Sequence, residues 1–164
     1  MSQEDLREEL VKFLQDAHGM EQQSLQTLQA AVRFAGDPQL ESLYQGHIAE
    51  TQRHLELLKE RLEAHDASRS ITQDLAGRLT AAQLGAGVLA DSDTPAKLVA
   101  VAYGFEHFEI AMYELLRRVA ERAGDQDAVD MADKILVNER QAAEKLAASY
   151  DLALERSLYP SMRA

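Results

Sequence analysis

The chain has 164 residues, the length of one domain, and its 46% apolar and 27% charged residues are typical of a folded globular protein. Its three prolines and eight glycines are too few for an all-β protein, which needs a turn about every ten residues. Zero cysteines exclude disulfides, thiolate metal sites and a cysteine nucleophile. A net charge of -11 argues against nucleic-acid binding, which rests largely on Lys and Arg.

The first residues of the chain bear on its location. The first five residues include the acidic Glu4 and Asp5 and lack the basic and apolar regions of a signal peptide. No stretch of the sequence approaches the roughly 20 apolar residues that a membrane-spanning helix needs. We therefore expect a cytoplasmic protein that does not enter a membrane.

Glycine and proline divide the sequence into four long segments rich in Ala, Leu, Glu, Gln and Arg. Gly36 suits the position after a helix, Asp37 suits an N-cap, and Pro38 suits a first helical residue. Similar signals recur near residues 94 and 124. The pattern predicts one all-α domain over residues 1–164, a four-helix bundle. Its helices are expected at about 3–35, 38–66, 95–123 and 126–158, and residues 67–94 form a long, partly helical crossover between the second and third helices.

One face of each predicted helix carries residues spaced alternately three and four apart, the spacing of a buried face. A glutamate lies on each of these faces: Glu21, Glu50, Glu109 and Glu139. On the second helix the face reads Leu40, Leu43, His47, Glu50, His54 and Leu57. On the third helix it reads Leu98, Val101, Phe105, Phe108, Met112, Leu115 and Val119, with Glu109 beside it.

The four glutamates share one level along the bundle if the helices are straight. Glu21 precedes the first turn glycine by 15 residues and Glu50 follows it by 14, while Glu109 and Glu139 lie 15 residues on either side of the second. The two hairpins match at an offset of 88 to 89 residues, which favours an internal duplication over chance similarity. Buried carboxylates in one layer repel one another, and each costs several kcal/mol. In one interpretation the glutamates are buried and bound cations offset this cost. In the other interpretation each glutamate faces water.

Three segments carry a resemblance to a known family: residues 16–25 (DAHGMEQQSL), 47–51 (HIAET) and 106–113 (EHFEIAMY). Through them the chain resembles the ferritin-like superfamily and, more closely, the YciE/YciF family of bacterial stress proteins, over about residues 6–155. The resemblance implies a ferritin-like four-helix bundle with a long crossover, a homodimer and a role in stress response. Ferritin-like bundles bind two metal ions through a glutamate from each of two helices and a Glu-x-x-His pair on each of the other two.

The sequence departs from this pattern at both expected histidines. Arg53 stands three residues after Glu50, and Ala142 stands three residues after Glu139. His54 or His47 would then supply the imidazole, and a further oxygen would come from the third helix. Alternatively, Arg53 neutralises the carboxylates and the bundle is free of metal.

From these observations we expect a dinuclear site for iron or manganese with a ferroxidase-like or peroxide-consuming activity. In this interpretation Glu50 and Glu139 bridge the two ions, while Tyr103 and Tyr113 serve packing. The alternatives are a metal-free dimeric stress protein that acts through protein–protein contacts, and a subunit of an iron-storage shell. The predicted metal ligands are Glu21, Glu50, His54, Glu106, Glu109 and Glu139.

Overall fold

A computed structural model of the protein describes residues 2–67 and 94–159, and these residues form helices and turns without a strand. The prediction of an all-α helical bundle is therefore confirmed. None of the described helices is both long and apolar enough to cross a membrane. Nearly all of the predicted crossover at 67–94 lies outside the described residues. The helices are α1 (Gln3–Phe34), α2 (Pro38–Ala64), α3 (Thr94–Ala123), α4 (Gln126–Ala148) and α5 (Tyr150–Leu158).

The helix boundaries follow from local chemistry. Gly36 and Gly124 adopt φ values of 66° and 72°, a left-handed conformation that glycine tolerates and that ends α1 and α3. Asp37 then caps α2, because its Oδ1 accepts from the Gln39 amide at 2.7 Å, and Pro38 begins the helix as predicted. Asp125 caps α4 in a similar way.

Two helical hairpins build the bundle. The tight turns pair α1 with α2 and α3 with α4, and the hairpins meet where α1 packs on α3 and α2 packs on α4. Two apolar clusters fill the interior, one containing Leu14 and Leu58 and the other containing Leu28 and Tyr44. On every long helix one to three buried polar residues lie between the residues of the first cluster and those of the second. This polar layer positions the site described below.

The predicted fourth helix, 126–158, is divided at Ser149, so one uninterrupted helix was the wrong prediction. The Ser149 hydroxyl donates to the Leu146 carbonyl at 2.8 Å, and such local serine bonds compete with regular helical hydrogen bonds. The short α5 that follows packs on α3. There the Ser157 hydroxyl accepts a hydrogen bond from the Ala96 amide at 2.9 Å, which helps to satisfy the first turn of α3.

Candidate metal centre

The polar layer in the middle of the bundle consists of acidic and imidazole side chains that are almost inaccessible to solvent. Glu21, Glu109 and Glu139 are 0% exposed, and Glu106 is 1% exposed. His47 and His54, both on α2, are buried with them. All four long helices therefore contribute to one buried polar layer. Glutamate is rarely fully buried without a partner, so a layer of four needs a physical reason.

The potential metal-ligand atoms of these side chains form two groups that share one residue. One potential ligand atom from each of His47, Glu106, Glu109 and Glu139 lies within 4.8 Å of the others. A second group, Glu21, His54 and Glu139, meets the same condition. Glu139 belongs to both groups, so its carboxylate lies between two clusters of donors.

Imidazole nitrogens point at carboxylate oxygens in both groups. His54 Nδ1 lies 2.9 Å from Glu139 Oε1 and 3.2 Å from Glu21 Oε1. His47 Nε2 lies 3.0 Å from Glu106 Oε1 and 3.8 Å from Glu139 Oε2. Among the described residues, neither His47 Nε2 nor the two Glu139 oxygens have a well-aligned hydrogen-bond partner. Several potential metal-ligand atoms thus converge without forming well-aligned hydrogen bonds to one another.

The layer contains more acceptors than donors. Both oxygens of Glu109, Oε2 of Glu21 and Oε2 of Glu106 also lack a well-aligned donor among residues 2–67 and 94–159. A buried acceptor without a donor costs about 1–3 kcal/mol, and more when it is charged. The polar layer as a whole therefore requires added positive charge, either protons or metal cations.

Without metal, protons supply that charge, as the pKa values indicate. Burial alone would lower the pKa of His47, but the Glu106 and Glu50 carboxylates raise it to about 10. The pKa of His54 is raised to about 9, because Glu139 and Glu21 outweigh its burial. Burial raises the pKa of Glu106 to about 8, and burial together with the neighbouring carboxylates raises the pKa of Glu109 well above its usual value. The metal-free layer holds protons at neutral pH.

Glu50, predicted as a bridging ligand, lies at the edge of this layer and belongs to neither group. Its side chain is 17% exposed, with Oε2 3.3 Å from His47 Nδ1 and Oε1 3.6 Å from Lys145 Nζ. The contact with His47, with smaller contributions from the charges of Lys145 and Arg53, lowers the pKa of Glu50, and Arg53 itself is exposed. The other five predicted ligands, Glu21, His54, Glu106, Glu109 and Glu139, lie together in the two groups.

The position of Glu50 follows from the face that α2 buries. The buried residues of α2 are Leu40, Tyr44, His47, Thr51, His54, Leu58 and Leu62. The predicted face shares Leu40, His47 and His54 with this set but continues through Glu50 instead of Thr51. Because adjacent helical residues point about 100° apart, the difference turns Glu50 toward the rim.

The third helix shows a similar one-residue difference. Leu115 of the predicted face is 50% exposed, whereas Leu116 is buried. The observed face of α3 runs through Glu106, Glu109 and Tyr113. It therefore carries two carboxylates, and the register brings Tyr113 into the polar layer.

Tyr113 has a polar role that sequence reasoning missed. Its side chain is 0% exposed, and its hydroxyl donates a 2.5 Å hydrogen bond to Glu21 Oε1. This bond fixes one oxygen of Glu21 and leaves Oε2 without a donor. The spacing of four residues between Glu109 and Tyr113 was the available signal, because such residues share a helix face.

The composition of the layer fits a pair of metal ions. The superfamily pattern provides four glutamates and two histidines, and this layer also contains four glutamates and two histidines. Their positions differ, because Thr51 occupies the Glu position of a Glu-x-x-His pair that ends at His54, and Ala142 occupies the His position after Glu139. The same kinds of donor enter the layer from Glu106 and His47 instead. Carboxylate and imidazole ligands suit iron and manganese.

Comparison with protein families identifies the chain. Residues 5–158 match the model of the family described as Domain of unknown function (DUF892). The chain belongs to this family. A solved structure of YcfI from Rhodopseudomonas palustris is 31% identical to this chain, with a TM-score of 0.74, and the match covers 90% of this chain and 94% of that one. A protein of Xanthomonas campestris is 28% identical over 96% and 98% of the two chains, with a TM-score of 0.77.

Two further structures share the fold of this DUF892 protein. The stress protein YciF of E. coli is 24% identical over 94% and 96% of the two chains, with a TM-score of 0.78. A ferritin-like, diiron-carboxylate protein of Bacillus anthracis is 15% identical over 92% and 99%, with a TM-score of 0.74. The resemblance in fold to the ferritin-like, YciF-type proteins that the sequence indicated is confirmed.

Proposed function

We propose that this protein binds two iron or manganese ions in the polar layer and acts as a ferroxidase-like or peroxide-consuming protein in stress. The first ion would be held by His47, Glu106, Glu109 and Glu139, and the second by Glu21, His54 and Glu139. The observation that carries the proposal is the set of converging buried oxygens without donors, shared between two groups by Glu139. The fold of a diiron-carboxylate protein and that of a stress protein support it.

The side chains around the ligands have separate tasks in this proposal. With its proton on Nδ1, His47 donates to the Glu50 carboxylate, and the lone pair on Nε2 then faces the first group. Carboxylates outside the ligand set orient metal-binding histidines in this way. Tyr113 donates to Glu21 and fixes the orientation of its carboxylate. Burial of all six ligands excludes bulk water, which strengthens electrostatic interactions in the layer. When bound, iron or manganese would supply one-electron redox chemistry and coordination positions for an oxidant.

Metal analysis after anaerobic loading with Fe(II) or Mn(II) and desalting tests the proposal. We expect about two equivalents in the unaltered protein, as in ferritin-like dinuclear sites. Glu139→Gln should retain at most one weakly held ion, because this residue belongs to both groups. Glu144→Gln is the matched control, since Glu144 is exposed on the same helix. Less than about a tenth of an equivalent in the unaltered protein would end the proposal.

A second proposal is that the chain forms a homodimer, and a surface of α5 supports it. Tyr150, Leu154 and Leu158 are 41%, 49% and 61% exposed and follow one another at a spacing of four residues, so they form one apolar stripe. In this proposal two copies of the chain pair through the stripe. Light scattering should then give twice the monomer mass, and Leu154→Lys should reduce it to the monomer mass. An unchanged mass after this substitution would contradict pairing at this surface.

A further inference from the structure

A cavity of about 340 Å³ lies between α2 and α4 directly beside the polar layer. Its volume falls within the range of about 300–1,000 Å³ that is typical of small-molecule sites. Buried His47 and Ala142 line it, while the exposed Gly46 marks its rim. The other residues that the argument uses are apolar Leu28, Leu43 and Leu146 and charged Glu50 and Lys145.

Small residues keep this cavity open. Ala142 lines it at the position where a Glu-x-x-His pair would place an imidazole after Glu139. At Gly46, an added Cβ would meet no heavy atom within 4 Å, so packing does not require glycine there. Glycine inside a helix is less favourable than alanine. The chain therefore retains unfilled space beside His47 where larger side chains would fit.

The charged rim has spare hydrogen-bond donors rather than spare acceptors. Both oxygens of Glu50 have partners, His47 at 3.3 Å and Lys145 at 3.6 Å. Lys145 presents three N–H donors on a side chain that is 56% exposed, and the Glu50 contact uses at most a part of them. A ligand that brings an anionic acceptor to this rim would complement Lys145.

We propose that the cavity binds a small amphipathic carboxylate. Its apolar chain would lie against Leu28, Leu43 and Leu146, and its carboxylate would pair with Lys145. Binding itself does not need a metal, because these contacts come from the protein alone. That the molecule is a substrate rests on the proposed function, since His47 lines the same cavity.

Isothermal titration calorimetry of chelator-treated protein with octanoate tests the proposal, with octanol and octylamine for comparison. We expect saturable binding of octanoate at one site. Octanol should bind about threefold more weakly, because it lacks the exposed charge pair with Lys145. Octylamine should bind more weakly than octanol, since its ammonium would lie beside that of Lys145.

Variants locate the binding in the cavity. Ala142→Leu and, at the rim where no clash is expected, Gly46→Leu should each weaken octanoate binding about tenfold or more, the effect of excluding about two methylene groups. Gly104→Leu is the matched control, because Gly104 lies on α3 and its added Cβ also meets open space. Lys145→Gln should abolish the preference for octanoate over octanol, whereas Lys134→Gln on the same helix should preserve it.

The outcomes separate this proposal from the metal centre. No saturable octanoate binding, or binding that neither Ala142→Leu nor Gly46→Leu weakens, overturns the cavity proposal. Metal content measured on the same preparations tests the centre independently. Octanoate binding in a protein that takes up no metal supports the cavity and contradicts the centre, and uptake of metal without octanoate binding does the reverse.

Discussion

The apolar and polar layers of the bundle are equally buried but differ in what their burial does. Leu14 and Leu58 in one apolar cluster are 0% exposed, as are Glu21 and Glu109 in the polar layer. Burying leucine stabilises the fold by about 1.5–3 kcal/mol per side chain. Burying carboxylates without donors opposes folding unless positive charge accompanies them. The polar layer therefore serves something other than the stability of the metal-free chain.

The largest expected effect comes from the apolar layer. Leu58→Ala should lower the free energy of unfolding by about 2–5 kcal/mol, because it leaves a cavity in the core. The loss should be the same with and without metal, as measured by urea denaturation. Leu115→Ala is the control, since Leu115 is 50% exposed, and should change the value by about 0.5 kcal/mol or less. A loss at Leu58 that appears only with metal would contradict the separation of the two layers.

A polar-layer substitution should behave in the opposite way. Glu109→Gln should leave the metal-free protein equally or more stable, because an amide replaces a buried carboxyl that lacks donors. It should remove the stabilisation that the first ion supplies, which is about 2.7 kcal/mol at a free metal concentration 100 times the Kd of that ion, and leave that of the second ion. Thermal unfolding with and without Mn(II) measures both effects. Glu63→Gln, on the exposed face of α2, should change neither, and a metal response in Glu109→Gln as large as that of the unaltered protein would refute its role.

A smaller, graded effect concerns pH. In the metal-free protein the pKa values of His47 and His54, about 10 and 9, exceed their unfolded value near 6.5, and that of Glu106, about 8, exceeds 4.5. Groups whose pKa is raised by folding stabilise the fold fully below the unfolded pKa, and this stability is lost as pH rises through the folded pKa. The contribution of these groups to the free energy of unfolding should thus fall as the pH rises from about 5 to about 10.

Urea midpoints in EDTA at pH 6, 7.5 and 9 check this dependence. We expect the midpoint to fall with rising pH, and His54→Gln to make the fall shallower. With metal bound the trend should weaken or reverse, because the ions displace these protons. A midpoint in EDTA that rises from pH 6 to pH 9 would contradict the protonated layer.

Sequence reasoning reached the fold because its signals are local and redundant. The Gly36 stop, the Asp37 cap and the Pro38 start all mark the same turn, and the structure has each of them. The break at Ser149 was missed because serine is tolerated within helices, and the interruption shows only in the bonds that its hydroxyl and amide make to the Leu146 carbonyl. The crossover lies almost wholly in residues that the structure does not describe.

The site was less predictable, because it depends on the rotation of each helix. Two faces of α2 share His47 and His54, and sequence alone did not distinguish the one that buries Thr51 from the one that buries Glu50. Glu21 and Glu139 were simpler, since each lies on the buried face of its helix, as the sequence predicted. The spacing of Tyr113 from Glu109 could indicate that its side chain faces the layer, but its bond to Glu21 joins residues 92 positions apart and depends on how α1 packs on α3.

Anomalous scattering from a crystal of the manganese-loaded protein tests the central claim most directly. The account predicts two peaks inside the bundle, one among His47, Glu106 and Glu109 and the other between Glu21 and His54, with Glu139 reaching both. Manganese found only on the surface, or an ordered layer of these side chains without a peak after loading, would contradict it.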